Sequence, residues 1–384
     1  MYRLDAKQQA IVDRAIEIAE KVVKPNARAA DAEGRYPRAS IDALGEAGFL
    51  GLTVAAEYGG MAQGPRGVCA VLDELAQRCA STAMCFNMHL AALAAYQAAV
   101  SPPVEELRAA ARGEHVTTLA FSEFASRSHV WALDSQEHGD GDQIVLNARK
   151  SFVTSAGEAD GYVVSTRWSE GKAPTDSMLY LVLASDVGLS VAGTWDALGM
   201  RGNASAPMTL RQVSLPANRA LTEPGQGMGM MLGAVLPVFN VGSAAISIGI
   251  AESATRITQA HLTGSSFAYS GMKLSDLPNE RARIASMRIE TDRARAYLAS
   301  TLDALENPGP STMLHVLASK AAAAESALTV TDTAQRACGG TGFTKALGLE
   351  RAFRDARAAA VMAPTNDILH EFVGRALCGM ELLG

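Results

Sequence analysis

The sequence predicts a mainly α-helical protein with a central antiparallel β domain, an α-β-α order that ends in a four-helix bundle. Three observations carry this reading. Alanine, the strongest helix former, recurs in blocks at 321–324 and 358–360, and aromatic residues are only 5% of the chain, which disfavours an all-β fold. Short runs with strand character, bounded by Gly, Asp, Asn and Ser, are confined to the middle third. The outer thirds instead repeat apolar residues at spacings of three and four. Segregated helical and strand runs imply separate domains rather than a doubly wound sheet, here 1–114 (all-α), 115–218 (β) and 219–384 (helical).

In the first third, Ile11, Ala15, Ile18 and Val22 lie on one helix face, and Pro25 is expected to end that helix or to lie just past its end. A short helix follows at 40–47, a loop at 51–60, helices at 68–77 and 82–99, a hinge at Pro102 and Pro103, and a helix at 104–113. The middle third offers strands at 116–122, 143–147, 151–154, 162–166, 178–184 and 207–215. In the last third, Ile284, Met287, Thr291, Ala294 and Leu298 mark one long helix. The final helix carries Ile368, Leu369, Phe372, Val373, Ala376, Leu377 and Met380 on one stripe, and such wide apolar faces suit a bundle.

Composition also excludes function classes. The 384 residues include 34 basic and 40 acidic ones, a net charge of −6 that argues against nucleic-acid binding. Five scattered cysteines are neither a disulfide framework nor a zinc pattern, and the seven histidines include no HExxH, so no metal site is expected. The N-terminus lacks a signal-peptide pattern, and the most apolar run, 228–245, is broken by Pro237, Asn240 and glycines. A cytoplasmic protein without a membrane span is the expectation. Glycine clusters at 225–229 and 339–342 adjoin helices without a preceding βαβ strand, so they are turns or phosphate-approaching loops rather than a Rossmann fingerprint.

Several motifs, in order along the whole chain, resemble the acyl-CoA dehydrogenase flavoprotein family. The stretch from Asn147 to Asp160, with Lys150, Phe152 and Thr154, is similar to "NGxKxWITNAxxAD". Leu198-Gly199-Met200-Arg201-Gly202 matches "LGMRG". Gln335-Arg-Ala-Cys-Gly339-Gly340-Thr-Gly342 is similar to "QxxGGxG", and Arg354-Asp355-Ala356-Arg357 to "RDA(K/R)". The resemblance implies FAD held between the β domain and the bundle, in a homotetramer or dimer whose subunits share flavin sites. It implies flavin contacts at Ser122, Ser128, Phe152, Thr154 and Thr365, and contacts to a neighbouring subunit's flavin at Gln335, Gly339 and Gly340. The substrate it implies is an acyl thioester of CoA or a carrier protein, with an electron-transfer flavoprotein or flavin reductase as redox partner.

The departures bear on mechanism. The family's "EPxAGSD" reads Glu123-Phe124-Ala125-Ser126-Arg127-Ser128-His129, and the arginine expected to reach the FAD pyrophosphate reads Phe267. Where many members carry the glutamate that removes the α-proton, this chain has Ala363, and the alternative glutamate position is Phe239. A positioned general base contributes about 10²–10⁴-fold, so its loss matters. Three readings follow: thioester dehydrogenation with a relocated base, for which His89, Glu123, His129 and Asp367 are the candidates; a flavin monooxygenase using O₂; or a non-catalytic subunit of a heteromeric dehydrogenase. The resemblance also implies that, in the first, the Ala363 backbone N–H and a flavin ribityl hydroxyl polarise the thioester carbonyl.

Overall fold

The computed structural model describes residues 2–126, 129, 131–140 and 143–383. The first helices are α1 (Ala6–Ile18), α2 (Lys24–Glu33), α3 (Arg38–Glu46), α4 (Pro65–Ala76), α5 (Ala80–Gln97) and α6 (Val104–Ala111). Asp5 and Gln8 form a capping box that starts α1. Contrary to expectation, the first helix does not stop at Pro25. It passes through a π turn, Ala19–Val23, into α2, and Pro25 sits in the first turn beyond it, where the wider register absorbs its missing N–H. The stop is Gly34 instead, in the left-handed conformation at φ 63°.

Among the described residues, seven strands form one sheet: β1 (Thr117–Ala120), β2 (Gln136–Asp140), β3 (Gln143–Val153), β4 (Gly161–Arg167), β5 (Ser177–Leu183), β6 (Leu189–Val191) and β7 (Ala206–Pro216). Their order is β1-β4-β2-β3-β7-β6, with β5 on β4. Most pairings are antiparallel, but β2 meets β4 in parallel at Gln136–Arg167, and β1 and β4 run parallel along the length of β1. Both strands are buried almost throughout, as parallel strands covered on two faces require, and β1 lies against α5. The two runs expected at 143–147 and 151–154 are one strand, β3, whose register against β7 shifts between Lys150 and Val153. β2 escapes sequence reading because Gln136-Glu-His-Gly-Asp140 has almost no apolar residues, and β6 because it is only three residues long.

The C-terminal helices are α7 (Gly227–Met230), α8 (Leu236–Gly264), α9 (Pro278–Glu306), α10 (Thr312–Phe343), α11 (Leu349–Val361) and α12 (Asn366–Leu377). A π turn, Met231–Val235, joins α7 to α8. Helix α8 is central, packed by α9, α10 and α11 on one side and by α4 and α5 on the other. Among the described residues, Gly227–Gly264 is the one helix long and apolar enough to cross a membrane, and 83% of its most apolar window is buried inside the fold. Gly249 permits the α4 approach, since a Cβ there would sit 2.5 Å from the Asp73 carbonyl oxygen. A buried ion network bridges the same junction: Arg295 of α9 lies 3.1 Å from Asp73 of α4 and 3.2 Å from Glu252 of α8. Helix α10 kinks at Gly339 (φ 54°, ψ −141°), a conformation open to glycine.

Candidate active site

A cavity of about 780 Å³ opens where the sheet, the α7–α8 segment and the end of α11 meet. One wall is apolar, built from Met88, Leu119, Phe121, Met228, Met231 and Phe239. The sheet supplies a second wall of hydroxyls and aromatics, Ser122, Ser151, Phe152, Thr154, Trp195 and Ser205. The third is Arg354, Arg357, Val361, Met362, Ala363 and Pro364.

The β3 irregularity explains the second wall. Phe152 takes φ 54°, uncommon for a residue with a Cβ, and its ring stands 68% exposed at the cavity, edge-on to Trp195 at 6.4 Å. The Thr154 and Ser205 hydroxyls are 2.9 Å apart. Asn203 lines the cavity with a buried Oδ1 that has no protein partner among the described residues. A buried acceptor of this kind calls for a donor from a ligand or water. An exposed aromatic face, several hydroxyls and an open acceptor suit a flat heteroaromatic ring with N–H and C=O edges, so the residues present fit the flavin that the resemblance implies.

The "LGMRG" and "RDAR" stretches are tied to each other. Met200 N–H donates to Asp355 Oδ1 at 2.7 Å, and Arg354 donates to the Leu198 carbonyl at 3.0 Å while gripping Asp31 with both terminal nitrogens. Gly199 is required here, because a Cβ would strike the Arg354 carbonyl. Burial pushes the Asp355 carboxyl up to about 6.

The proposed bases fall in four different places. His89 is fully buried away from the cavity, with Nε2 on the Leu50 carbonyl at 2.8 Å and Nδ1 accepting from Thr117 N–H at 3.0 Å. Burial lowers its pKa to about 4, so it is a neutral link between α5 and β1, not a flavin-facing base. Glu123 does border the cavity, yet its carboxylate is engaged: Lys150 Nζ lies 2.6 Å away, Asp134 N–H donates at 2.6 Å, Ser135 N–H at 3.1 Å, and the Ser135 hydroxyl also donates. Burial opposes the charge, but Lys150 and these donors hold Glu123 below the usual carboxylate value, the wrong direction for a base. His129 is exposed and stacks on Trp131 at 5.0 Å. Asp367 is exposed in the first turn of α12, where a carboxylate complements the helix dipole.

Of the flavin residues, Ser122, Phe152 and Thr154 line the cavity. Ser128 lies outside the described residues. Thr365 is the N-cap of α12, accepting from Ile368 N–H at 3.4 Å. Gln335, Gly339 and Gly340 lie near the end of α10 and do not border their own chain's cavity; both glycines are exposed. Ala363 and Phe239 line the wall where a base would stand, and neither carries a titratable group. Sequence reading overlooked Lys150 as the partner of Glu123, Asn203, and Lys320, a fully buried lysine on α10 whose only signal is its place beside an alanine block.

Models of the acyl-CoA dehydrogenase N-terminal, middle and C-terminal domains match residues 5–101, 118–213 and 225–378. Cyclohex-1-ene-1-carbonyl-CoA dehydrogenase of Geobacter metallireducens is 26% identical over 380 residues, covering 98% of this chain and 99% of that protein. Butyryl-CoA dehydrogenase from Megasphaera elsdenii superposes with a TM-score of 0.92 at 22% identity, over 98% of this chain and 99% of the other. The FAD complex of PigA does so with a TM-score of 0.90 at 17% identity, over 98% of each chain.

Proposed function

The chain belongs to the acyl-CoA dehydrogenase family, and on that premise we propose that it is a FAD-dependent oxidoreductase acting on an acyl thioester. The observation that carries this is the cavity itself: hydroxyls and the Phe152 ring for a flavin, apolar side chains for an acyl chain and the Met362–Pro364 loop all line one space. A bound FAD would supply the hydride acceptor for the substrate's β-carbon. The chain's own residues bind and orient. Ser122, Thr154 and Asn203 meet polar edges of the ring system, and Met88, Met228, Met231 and Phe239 keep water from the acyl chain. The Ala363 N–H polarises the thioester carbonyl, which acidifies the α-carbon.

The departure from the common pattern is α-proton removal. Among the described residues lining the cavity, Glu123 is the single carboxylate and it is committed to Lys150; no histidine lines it. The reaction is then α,β-dehydrogenation, or a variant of it, with a non-standard base: with no free carboxylate or histidine among the described lining residues, water is the acceptor that takes the α-proton. Anaerobic mixing of the flavin-loaded protein with a panel of CoA and carrier-protein thioesters tests this. Loss of the flavin's visible band with one of them is the expected result, and no bleaching with any would refute the reading.

That same lack of a free base favours a second reading, a flavin monooxygenase using O₂, whose oxygen-insertion step needs no carboxylate at this wall. Incorporation of ¹⁸O from ¹⁸O₂ into product distinguishes it. A homotetramer or dimer, an electron-transfer flavoprotein or flavin reductase as redox partner, and a cytoplasmic location complete the proposal. The exposed Gly339 and Gly340, with Phe343 85% exposed beside them, support a neighbouring subunit at that end of α10.

A further inference from the structure

Lys320 is buried to 0% exposure, and no carboxylate pairs with it among the described residues. Its Nζ donates to three backbone carbonyls: Ala359 at 2.8 Å, Met362 at 3.2 Å and Pro364 at 2.8 Å. All three belong to the end of α11 and the loop that follows, the segment that carries Ala363 on the cavity wall. Three acceptors match the three N–H bonds of an ammonium. Burial pushes the Lys320 amine down to about 7, while the dipole at a helix C-terminus favours its charged form, and its N–H bonds satisfy carbonyls the helix leaves unpaired.

The register of these bonds gives them a further meaning. In a continuing α-helix the Ala359 carbonyl would accept from the N–H four residues on, that of Ala363. Here the last helical bond is Met362 N–H to Ala358 at 2.9 Å, and Met362 then turns extended at ψ 134°. Lys320 occupies the Ala359 carbonyl in place of the Ala363 N–H. That N–H has no protein acceptor among the described residues. The loop is held from the other side by the Thr365 cap of α12.

We propose that Lys320 is a positioning residue. By taking the Ala359 carbonyl and bridging it to Met362 and Pro364, it stops α11 one residue short of Ala363 and keeps the Ala363 N–H free to receive a thioester carbonyl oxygen. This rests on the reading that the cavity binds a thioester. A donor held in place before the substrate arrives costs no reorganisation when charge develops on the oxygen. That counts for more where no carboxylate helps to remove the α-proton.

Two measurements on the flavin-loaded protein test it. Residue-resolved amide exchange without substrate comes first: the Ala363 amide of the unmodified protein exchanges rapidly, while the Met362 amide is protected. A protected Ala363 amide overturns the proposal whatever the cavity binds. The second compares the unmodified protein with Lys320→Met, using 4-(dimethylamino)cinnamoyl-pantetheine, whose absorption moves to longer wavelength as its thioester carbonyl accepts a stronger hydrogen bond. The unmodified protein shifts the band, and Lys320→Met loses most of the shift and binds the probe roughly tenfold more weakly, the loss of one hydrogen bond. A purely structural lysine would lower the melting temperature and leave the shift intact in the folded, flavin-containing fraction; that result also overturns the proposal. If the unmodified protein gives no shift, the thioester reading fails, and the exchange measurement still decides what Lys320 does.

Discussion

Lys150→Met removes one charge from a buried pair and leaves the other. Lys150 and Glu123 are 0% and 3% exposed, and their charged atoms are 2.6 Å apart. The substitution deletes that bond together with the donations from Nζ to the Ser165 carbonyl at 2.5 Å and to the Ser165 hydroxyl at 3.3 Å. Breaking a buried pair from one side costs about 3–5 kcal/mol, most of it the charge left behind. Glu123 keeps Asp134 N–H, Ser135 N–H and the Ser135 hydroxyl, so the expected loss lies near the lower end, about 3 kcal/mol at pH 7. The sign of its pH dependence follows from Glu123. In the unmodified protein its pKa is held below the unfolded value, so it contributes stability above that value which is lost as pH falls. In Lys150→Met that contribution is gone, so the gap between the two proteins narrows as pH falls through the carboxylate range. Urea unfolding followed by circular dichroism at pH 7.5 and at pH 4.5 measures it. Flavin content should fall as well, because Ser122, next to Glu123, receives Ser151 N–H at 2.9 Å along the cavity wall. A loss under about 1 kcal/mol at pH 7.5, or a gap unchanged by pH, would refute this account.

Two further substitutions separate function from stability. Ala363→Glu places a carboxylate on the cavity wall among Met362, Pro364 and Phe239; it should speed anaerobic flavin bleaching by an active thioester by about 10²–10⁴-fold, and an unchanged rate in a folded, flavin-loaded variant would argue against a missing base. For Asp355→Asn, the relevant fact is a buried carboxyl raised from 3.8 to about 6, which binds more protons folded than unfolded between those values. Stability from this group is therefore complete below 3.8 and declines as pH rises through 6, so the variant should gain on the unmodified protein between pH 4 and pH 7 by on the order of 2–3 kcal/mol. Thermal melts across that range read the trend, and parallel curves for the two proteins would contradict it.

The α-β-α order was legible because periodicity is local: spacings of three and four mark α9 and α12, and short β-branched runs mark β4, β5 and β7. Where local signals stop, so does the legibility. Pro25 reads as a terminator, but a π turn carries the helix past it to Gly34. The parallel β1–β4 pairing joins strands about forty-four residues apart and packs against α5, which no window of sequence contains.

The site divides along the same line. The resemblance to the family's motifs marked Ser122, Phe152, Thr154 and Ala363, and all four line one cavity. It also showed that the usual glutamate positions hold Ala363 and Phe239. Sequence by itself could not say what His89 and Glu123 do, because a side chain's protonation and availability depend on partners distant in the chain. His89 is spent on Leu50 and Thr117, Glu123 on Lys150, and Lys320 on carbonyls some forty residues away. Residue types and their periods settled the order of helices and strands, and the family motifs implied the chemistry on offer. Only tertiary packing decided which polar atoms were consumed by the fold and which were left facing the cavity, since in a buried setting a hydrogen-bonding group that finds a protein partner is no longer free for a ligand.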